Sequence, residues 1–334
     1  MIDEVLALKV PLLGVISDKQ ESICLAIEQR LPEVPHQLCH YHYLRDVAQP
    51  ISDADRSLKK QLKQRVRGLR QVEIKVAKET SVAGQVVRDY CLTLRTVMRE
   101  EGKYPLDPAG ISLYDKLAAI AASLRRALEQ HPSAKLQRLL TLLGVLGRCE
   151  TEYARLVEAW SWIHQLAHLL AHASDRAEAT TEILSYATGL KEGASENLRE
   201  IAQYVEKLTQ AFAPYLFAYL DQPLLPRTNN ELELFIGQLK KSRRQVTGRK
   251  NVSAYLLREG RAVALLFGLP AGENWLDCFA KVEMARFGER LAELRRTEER
   301  SKCWQIRRRL QGFLSGLEQL WQAQNEPQLC GCNT

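Results

Sequence analysis

Residues 11–47 read PLLGVISDKQESICLAIEQRLPEVPHQLCHYHYLRDV. The fold is decided in this stretch, because here alone two periodicities alternate within a few residues. Leu12, Leu13, Gly14, Val15 and Ile16 form a short apolar run bounded by Pro11 and by Ser17-Asp18, which is the signature of a buried strand. Ile23, Ala26, Ile27 and Leu31 then recur at helical spacing until Pro32 stops them. Pro35 to Cys39 is extended, and another helix begins near Tyr41. Strand, helix, short strand and helix make an α/β fragment.

Beyond it the pattern changes. From about Ile51 to Pro226 only helical periods are found, among them Leu117, Ile120, Ala121, Leu124 and Leu128, then Leu156, Trp160, Ile163, Ala167 and Leu170, then Leu198, Ile201, Val205, Leu208 and Phe212. Gly102 to Gly110, His131-Pro132, Gly189 to Gly193 and Gln222 to Pro226 punctuate five or six helices. A further helix follows Thr228-Asn229-Asn230, and Ile306, Leu310, Phe313, Leu317 and Leu320 form a last amphipathic stripe. The expected architecture is predominantly α with a small α/β part, divided as 1–51, a helical 52–226 and a returning 227–334.

Composition agrees. The 334 residues are 46% hydrophobic and 26% charged, with only 18 Gly and 12 Pro, which excludes collagen, a coiled-coil fibre and wholesale disorder. The apolar run Ala262–Leu269 ends at Pro270, well short of the roughly 20 residues a spanning helix needs. MIDEVLALK is acidic and too short for a secretory signal, so a cytoplasmic, nucleoid-associated protein with reduced thiols at its eight Cys is expected.

The net charge is +7, unevenly spread. Lys59 to Lys78 holds eight basic residues and one acid, Glu73; Gly237 to Lys250 holds six and no acid; Arg290 to Arg309 holds eight against three. Each is a solvated helix face or a phosphate-contact surface, and three together favour a polyanionic partner.

Four constellations bear on chemistry. Asp18 ends the apolar strand, where α/β sheets place functional side chains, yet with Glu21 it also fits a capping box. Cys39 and His42 are spaced CxxH, a thiolate and an imidazole, two ligands short of a closed zinc site. Thr228 and Glu231 fit a second capping box at a helix whose Leu232, Phe235, Ile236 and Leu239 face a core, which leaves Glu233 without a structural task; it shares a side with Gly237, Lys240 and Arg244. His164, His168 and His172 recur every four residues without an acid on their face, and read as packed or solvated histidines.

Taken in order, these residues resemble the core of DDE-type transposases of the Mutator-like and related insertion-sequence kind. The likeness covers residues 10–51 and 226–252. In that family a strand ending in Ser-Asp carries the second catalytic aspartate, a helix ending before Pro follows, and a QLCxxH segment comes next; here these are Ser17-Asp18, Ala26 to Pro32, and His36 to Asp46. The TNNELELFIGQLKKSRRQVTGRKN segment is similar to the family's helix bearing the catalytic glutamate, which falls on Glu233.

The resemblance implies a partial ribonuclease H-like fold interrupted by an all-helical insertion, with Asp18 and Glu233 as catalytic and metal-ligating carboxylates. It implies Mg²⁺ or Mn²⁺ as cofactor, transposon ends and target DNA as partners, and a homo-oligomer, with no membrane and no small-molecule substrate. Lys240, Lys241, Arg243, Arg244, Arg249 and Lys250 would hold the DNA backbone. The family's first aspartate has no counterpart here, since Asp3 lies in an expected helix; the expectation is therefore a C-terminal portion, weak or inactive alone, or a noncatalytic DNA-binding and assembly remnant.

Overall fold

A computed structural model describes residues 11–248 and 298–323, with Ile2 and Leu6 ahead of them. Two strands, β1 (Val15–Ser17) and β2 (His36–Leu38), pair in parallel with Val15 opposite His36 and Ser17 opposite Leu38. Helix α1 (Glu21–Arg30) makes the crossover, as parallel neighbours require. Gly14, just ahead of β1, faces Leu225 so closely that an added Cβ would lie 2.9 Å from a Leu225 methyl and 3.3 Å from the Pro35 carbonyl oxygen. A side chain there would push apart the strand start and the chain returning from the helical block.

The other described elements are helices: α2 (His40–Val47), α3 (Gln49–Arg65), α4 (Leu69–Val76), α5 (Val82–Arg99), α6 (Ala109–Gln130), α7 (Ala134–Leu142), α8 (Val145–His172), α9 (Arg176–Gly193), α10 (Arg199–Leu216), α11 (Ala218–Asp221), α12 (Asn230–Thr247) and α13 (Glu298–Ala323), with two short 3₁₀ turns at Val66–Gly68 and Glu196–Leu198. The chain is thus predominantly α with a two-stranded parallel sheet. Among the described residues no helix is long and apolar enough to cross a membrane.

The stripes read from the sequence are the buried faces. Leu117, Ile120, Ala121 and Leu124 of α6 are at most 1% exposed. Helix α3 lies between α6 and α8, α9 packs on α10, and α10 reaches back to α2 and β2. One continuous set of buried side chains runs from Leu38 through the helical block to Trp321. Helix α13 closes it from outside, packing on α5 and α6 with Ile306, Leu314, Leu317 and Trp321 inward. Its inward face differs from the expected one, since Leu320 is 51% exposed. Arg309 leaves helical geometry (φ −142°, ψ 47°), and that kink shifts the phase of the residues after it.

Helix ends are satisfied in two ways. Ser81 Oγ accepts from the Gly84 amide at the start of α5, and Asp175 Oδ1 from the Glu178 amide at the start of α9. Helix α6 is capped from another element: Asp55 of α3, fully buried, accepts the Gly110 and Ile111 amides at 2.8 Å each, with the Tyr104 hydroxyl donating as well. Removing that carboxylate strands two amides in a dry interior. Asp55→Ala is expected to lower the unfolding free energy by about 2 to 4 kcal/mol, read from urea denaturation; a loss below about 1 kcal/mol would show that the two amides find other partners.

Candidate functional site

The site begins where the two strands end. The parallel ladder runs one step past β1, with the Cys39 amide donating to the Ser17 carbonyl at 2.9 Å. Ser17 is buried, and its hydroxyl donates to the Asp18 carbonyl at 2.7 Å while His36 Nε2 lies 2.8 Å from it. With the hydroxyl proton committed to Asp18, His36 Nε2–H is the donor, and burial pushes the His36 pKa down in keeping with a neutral ring. The backbone that presents Asp18 is therefore held from both sides.

Asp18 does not cap α1. Gln20 occupies the cap position without a side-chain hydrogen bond, so the capping box expected from Asp18 and Glu21 does not form. Two further residues between strand and helix displace the carboxylate from capping reach. Asp18 remains half-buried. Lys19 turns the other way: its ammonium donates to the Ala211 carbonyl of α10 and stands 4.6 Å from the Phe212 ring centroid.

The segment His36-Gln37-Leu38-Cys39-His40 is entirely buried, and its polar members join the sheet to the helical block. Gln37 Nε2 donates to the Leu216 carbonyl at 2.7 Å, and its Oε1 accepts the Tyr219 amide at 3.1 Å. His40 Nε2 donates to that same Leu216 carbonyl at 2.7 Å. The Tyr43 hydroxyl meets Thr209 Oγ1 of α10 at 2.8 Å. Burial pushes the His40 pKa down to about 4, and the Arg227 charge lowers it too, against the opposing hydrogen bond to Leu216.

The returning chain enters here. The His40 amide donates to the Arg227 carbonyl at 3.1 Å, and the Arg227 guanidinium lies over the Tyr219 ring. Asn229, rather than the expected Thr228, takes the cap position of α12, again without a side-chain cap hydrogen bond, and the Glu231 side chain lies outside the described residues. The Asn229 Oδ1 is buried without a partner among the described residues. One turn on, Glu233 Oε1 lies 3.4 Å from His42 Nε2; His42 is 8% exposed and Glu233 46%. The His42 Nδ1 has no partner among the described residues.

The structure thus brings the CxxH segment against the Glu233 helix, with Asp18 at the neighbouring strand end. Cys39 is a free, fully buried thiol, and among the described residues no three His, Cys, Asp or Glu side chains form a metal-binding group. Along α12, Lys240, Lys241 and Arg244 are exposed. The Arg243 side chain and all of Arg249 and Lys250 lie outside the described residues. Of the apolar face expected of α12, Phe235 is 38% exposed and Ile236 half-buried, while the Leu232 and Leu239 side chains lie outside the described residues. His164 accepts from Trp160 Nε1 at 3.0 Å and His168 stacks on His172 in solvent, beside a cleft that Asp175, Glu178 and Glu182 also line.

What sequence reasoning missed is the division of labour within PHQLCHYH. Only His42 reaches Glu233, while His36, Gln37 and His40 are structural. Four polar side chains inside one short segment, His36, Gln37, His40 and His42, were the available signal, because buried polar groups require dedicated partners.

The depressed His40 pKa has a sign. The unfolded imidazole, at its usual value near 6.5, takes up a proton that the folded one refuses until about pH 4. Stability therefore falls as pH drops from neutral toward 4, on the order of 1 to 3 kcal/mol at 1.36 kcal/mol per pKa unit. Urea midpoints measured across that range should show the fall, and His40→Gln should flatten it. Parallel profiles for the two proteins would rule His40 out as the cause.

Comparison of the chain with protein-family models, curated proteins and solved structures finds no match in any of the three.

Proposed function

We propose that this protein is a DNA-acting chain of the DDE transposase type, with Asp18 and Glu233 as two carboxylates of its metal centre. The observation that carries the reading is the 3.4 Å contact between His42 and Glu233. It links two motifs at opposite ends of the helical block, in the order and spacing that the resemblance implies. That Asp18 caps nothing leaves its carboxylate available, which supports the same role.

The donor set suits a hard cation. Mg²⁺ is commonly held by one or two carboxylates together with substrate phosphates, so the lack of a three-ligand group among the described residues fits an ion that arrives with DNA. When bound, such an ion polarises a phosphoryl oxygen and lowers the pKa of a coordinated water or hydroxyl. Asp18 and Glu233 supply oxygen ligands from the strand end and the facing helix. His42 restrains the Glu233 carboxylate, which is otherwise half in solvent. Lys240, Lys241 and Arg244 hold the DNA backbone without reading bases. Two carboxylates are fewer than the three the family uses, and the strand-transfer activity expected of the chain alone is correspondingly weak or nil.

The same shortfall favours the second reading, a noncatalytic DNA-binding and assembly protein. Mn²⁺ binding to the purified full chain, measured by calorimetry with and without duplex DNA, separates the two. On the catalytic reading Asp18→Asn with Glu233→Gln weakens Mn²⁺ binding at least tenfold and abolishes any nicking of supercoiled plasmid, while metal-free DNA affinity stays within twofold. Unchanged Mn²⁺ binding with DNA affinity intact assigns the noncatalytic reading. A DNA affinity that does not depend on salt sinks both.

A further inference from the structure

A second basic region, remote in sequence from α12, spans α3 and α4. Several cations in and around the helical block meet an acid on another element: Arg95 pairs with Glu73, Lys135 with Glu79, Arg126 with Glu318 and Lys302 with Asp89. Between Lys59 and Lys78 basic residues outnumber acids eight to one. Glu73 is the only acid in that interval, and Arg95 of α5 takes it. Lys60, Lys63, Arg70, Lys75 and Lys78 have no acidic partner among the described residues, and Arg138, exposed on the adjoining α7, has none either.

Ordinary helix electrostatics accounts for only part of this. Lys75 lies in the last turn of α4, where the dipole favours cations, and Lys78 follows two residues past the helix end. Arg70 lies in the first turn of α4, where the dipole opposes it and no acid is present. Lys59 is crowded as well: burial, then the charge of Lys63, pushes its pKa down. Ile74, one turn beyond Arg70, is 66% exposed among these charges. An unneutralised cationic face with an apolar residue at its centre is unfavourable in the free protein, and becomes favourable against a polyanion whose sugars offer apolar contact.

We infer that the outer face of α3 and α4, with Lys60, Lys63, Arg70, Ile74, Lys75 and Lys78, is a backbone-binding surface for double-stranded DNA. It shares its partner with the function proposed above but requires neither Asp18 nor Glu233. The surface acts through phosphate contacts, so it carries affinity without sequence preference.

The test uses the full chain and a labelled duplex of about 30 base pairs and arbitrary sequence, with affinity followed against salt. Arg70→Gln, Lys75→Gln and Lys78→Gln together should weaken binding at least tenfold near 0.1 M salt. They should also shrink the slope of log affinity against log salt by about 0.9 for each phosphate that the variant no longer neutralises. A control removes three paired cations, Arg155→Gln, Arg176→Gln and Lys191→Gln, for the same change in net charge, and should stay within twofold. Lys60→Gln with Lys63→Gln provides an independent weakening should the triple variant fail to fold. Equal weakening in triple variant and control, or no weakening from either set on α3 and α4, overturns the assignment. So does polyglutamate competing as well as DNA charge for charge, which would assign the face to an acidic protein. None of these outcomes depends on metal binding at Asp18 and Glu233, so the two readings fail separately.

Discussion

The carbonyl oxygen of Leu216 accepts two hydrogen bonds, from Gln37 and from His40, and the arrangement of the candidate site depends on it. The block from α3 to α10 leaves the small sheet at one point and must return to it at another. A carbonyl in the last turn of a helix has no partner within its own helix. Here that surplus acceptor is supplied by two side chains of the strand end, and the Tyr219 amide closes the set on Gln37. Burial makes the arrangement exacting, because each of these groups would be costly to leave unpaired. From that anchor the chain passes Arg227, whose carbonyl receives the His40 amide, and is delivered into α12 within reach of His42.

Much of this is legible in the sequence, for particular reasons. Val15 to Ser17 reads as a strand because the apolar run is short and bounded; Leu117, Ile120 and Leu124 read as a helix face because burial of a helix on one side imposes its period. Glu233 stands out because the residues around it have tasks and it has none. The cap positions mislead, at Asp18 and again at Thr228, because a Ser/Thr/Asp residue three before a Glu is a frequent pattern whose outcome turns on backbone angles the sequence does not display. Asp55 is invisible as a cap, since it serves a helix that starts more than fifty residues later. Gln37 and His40 stand in the sequence only as members of a motif. Their partner is a backbone carbonyl, which every residue has, so no pattern in the sequence points to Leu216.

The charge distribution follows the same logic of matched and unmatched groups. Where the helical block needs cohesion, cations meet acids across helices, as Arg126 and Lys302 do in holding α13 to α6 and α5. Exposed pairs of this kind contribute little stability individually, but they fix register and remove attraction for outside anions. The exposed Lys60, Arg70 and Lys75 of α3 and α4, and Lys240, Lys241 and Arg244 of α12, have no acidic partner among the described residues, so the attraction remains. Net charge alone would not distinguish these faces.

The contact between His42 and Glu233 also has a consequence in time. Asp18, Cys39 and His42 leave the ribosome early, and every residue of the helical block must follow before Glu233 is made. At about 5 to 20 residues per second the interval is roughly 10 to 40 s. Throughout it the nascent chain carries one carboxylate of the proposed pair without the other. Vectorial synthesis thus keeps the two apart until the block that orients them exists, and a nascent chain that has not yet reached Glu233 cannot assemble the proposed centre beside the nucleic acids that surround it.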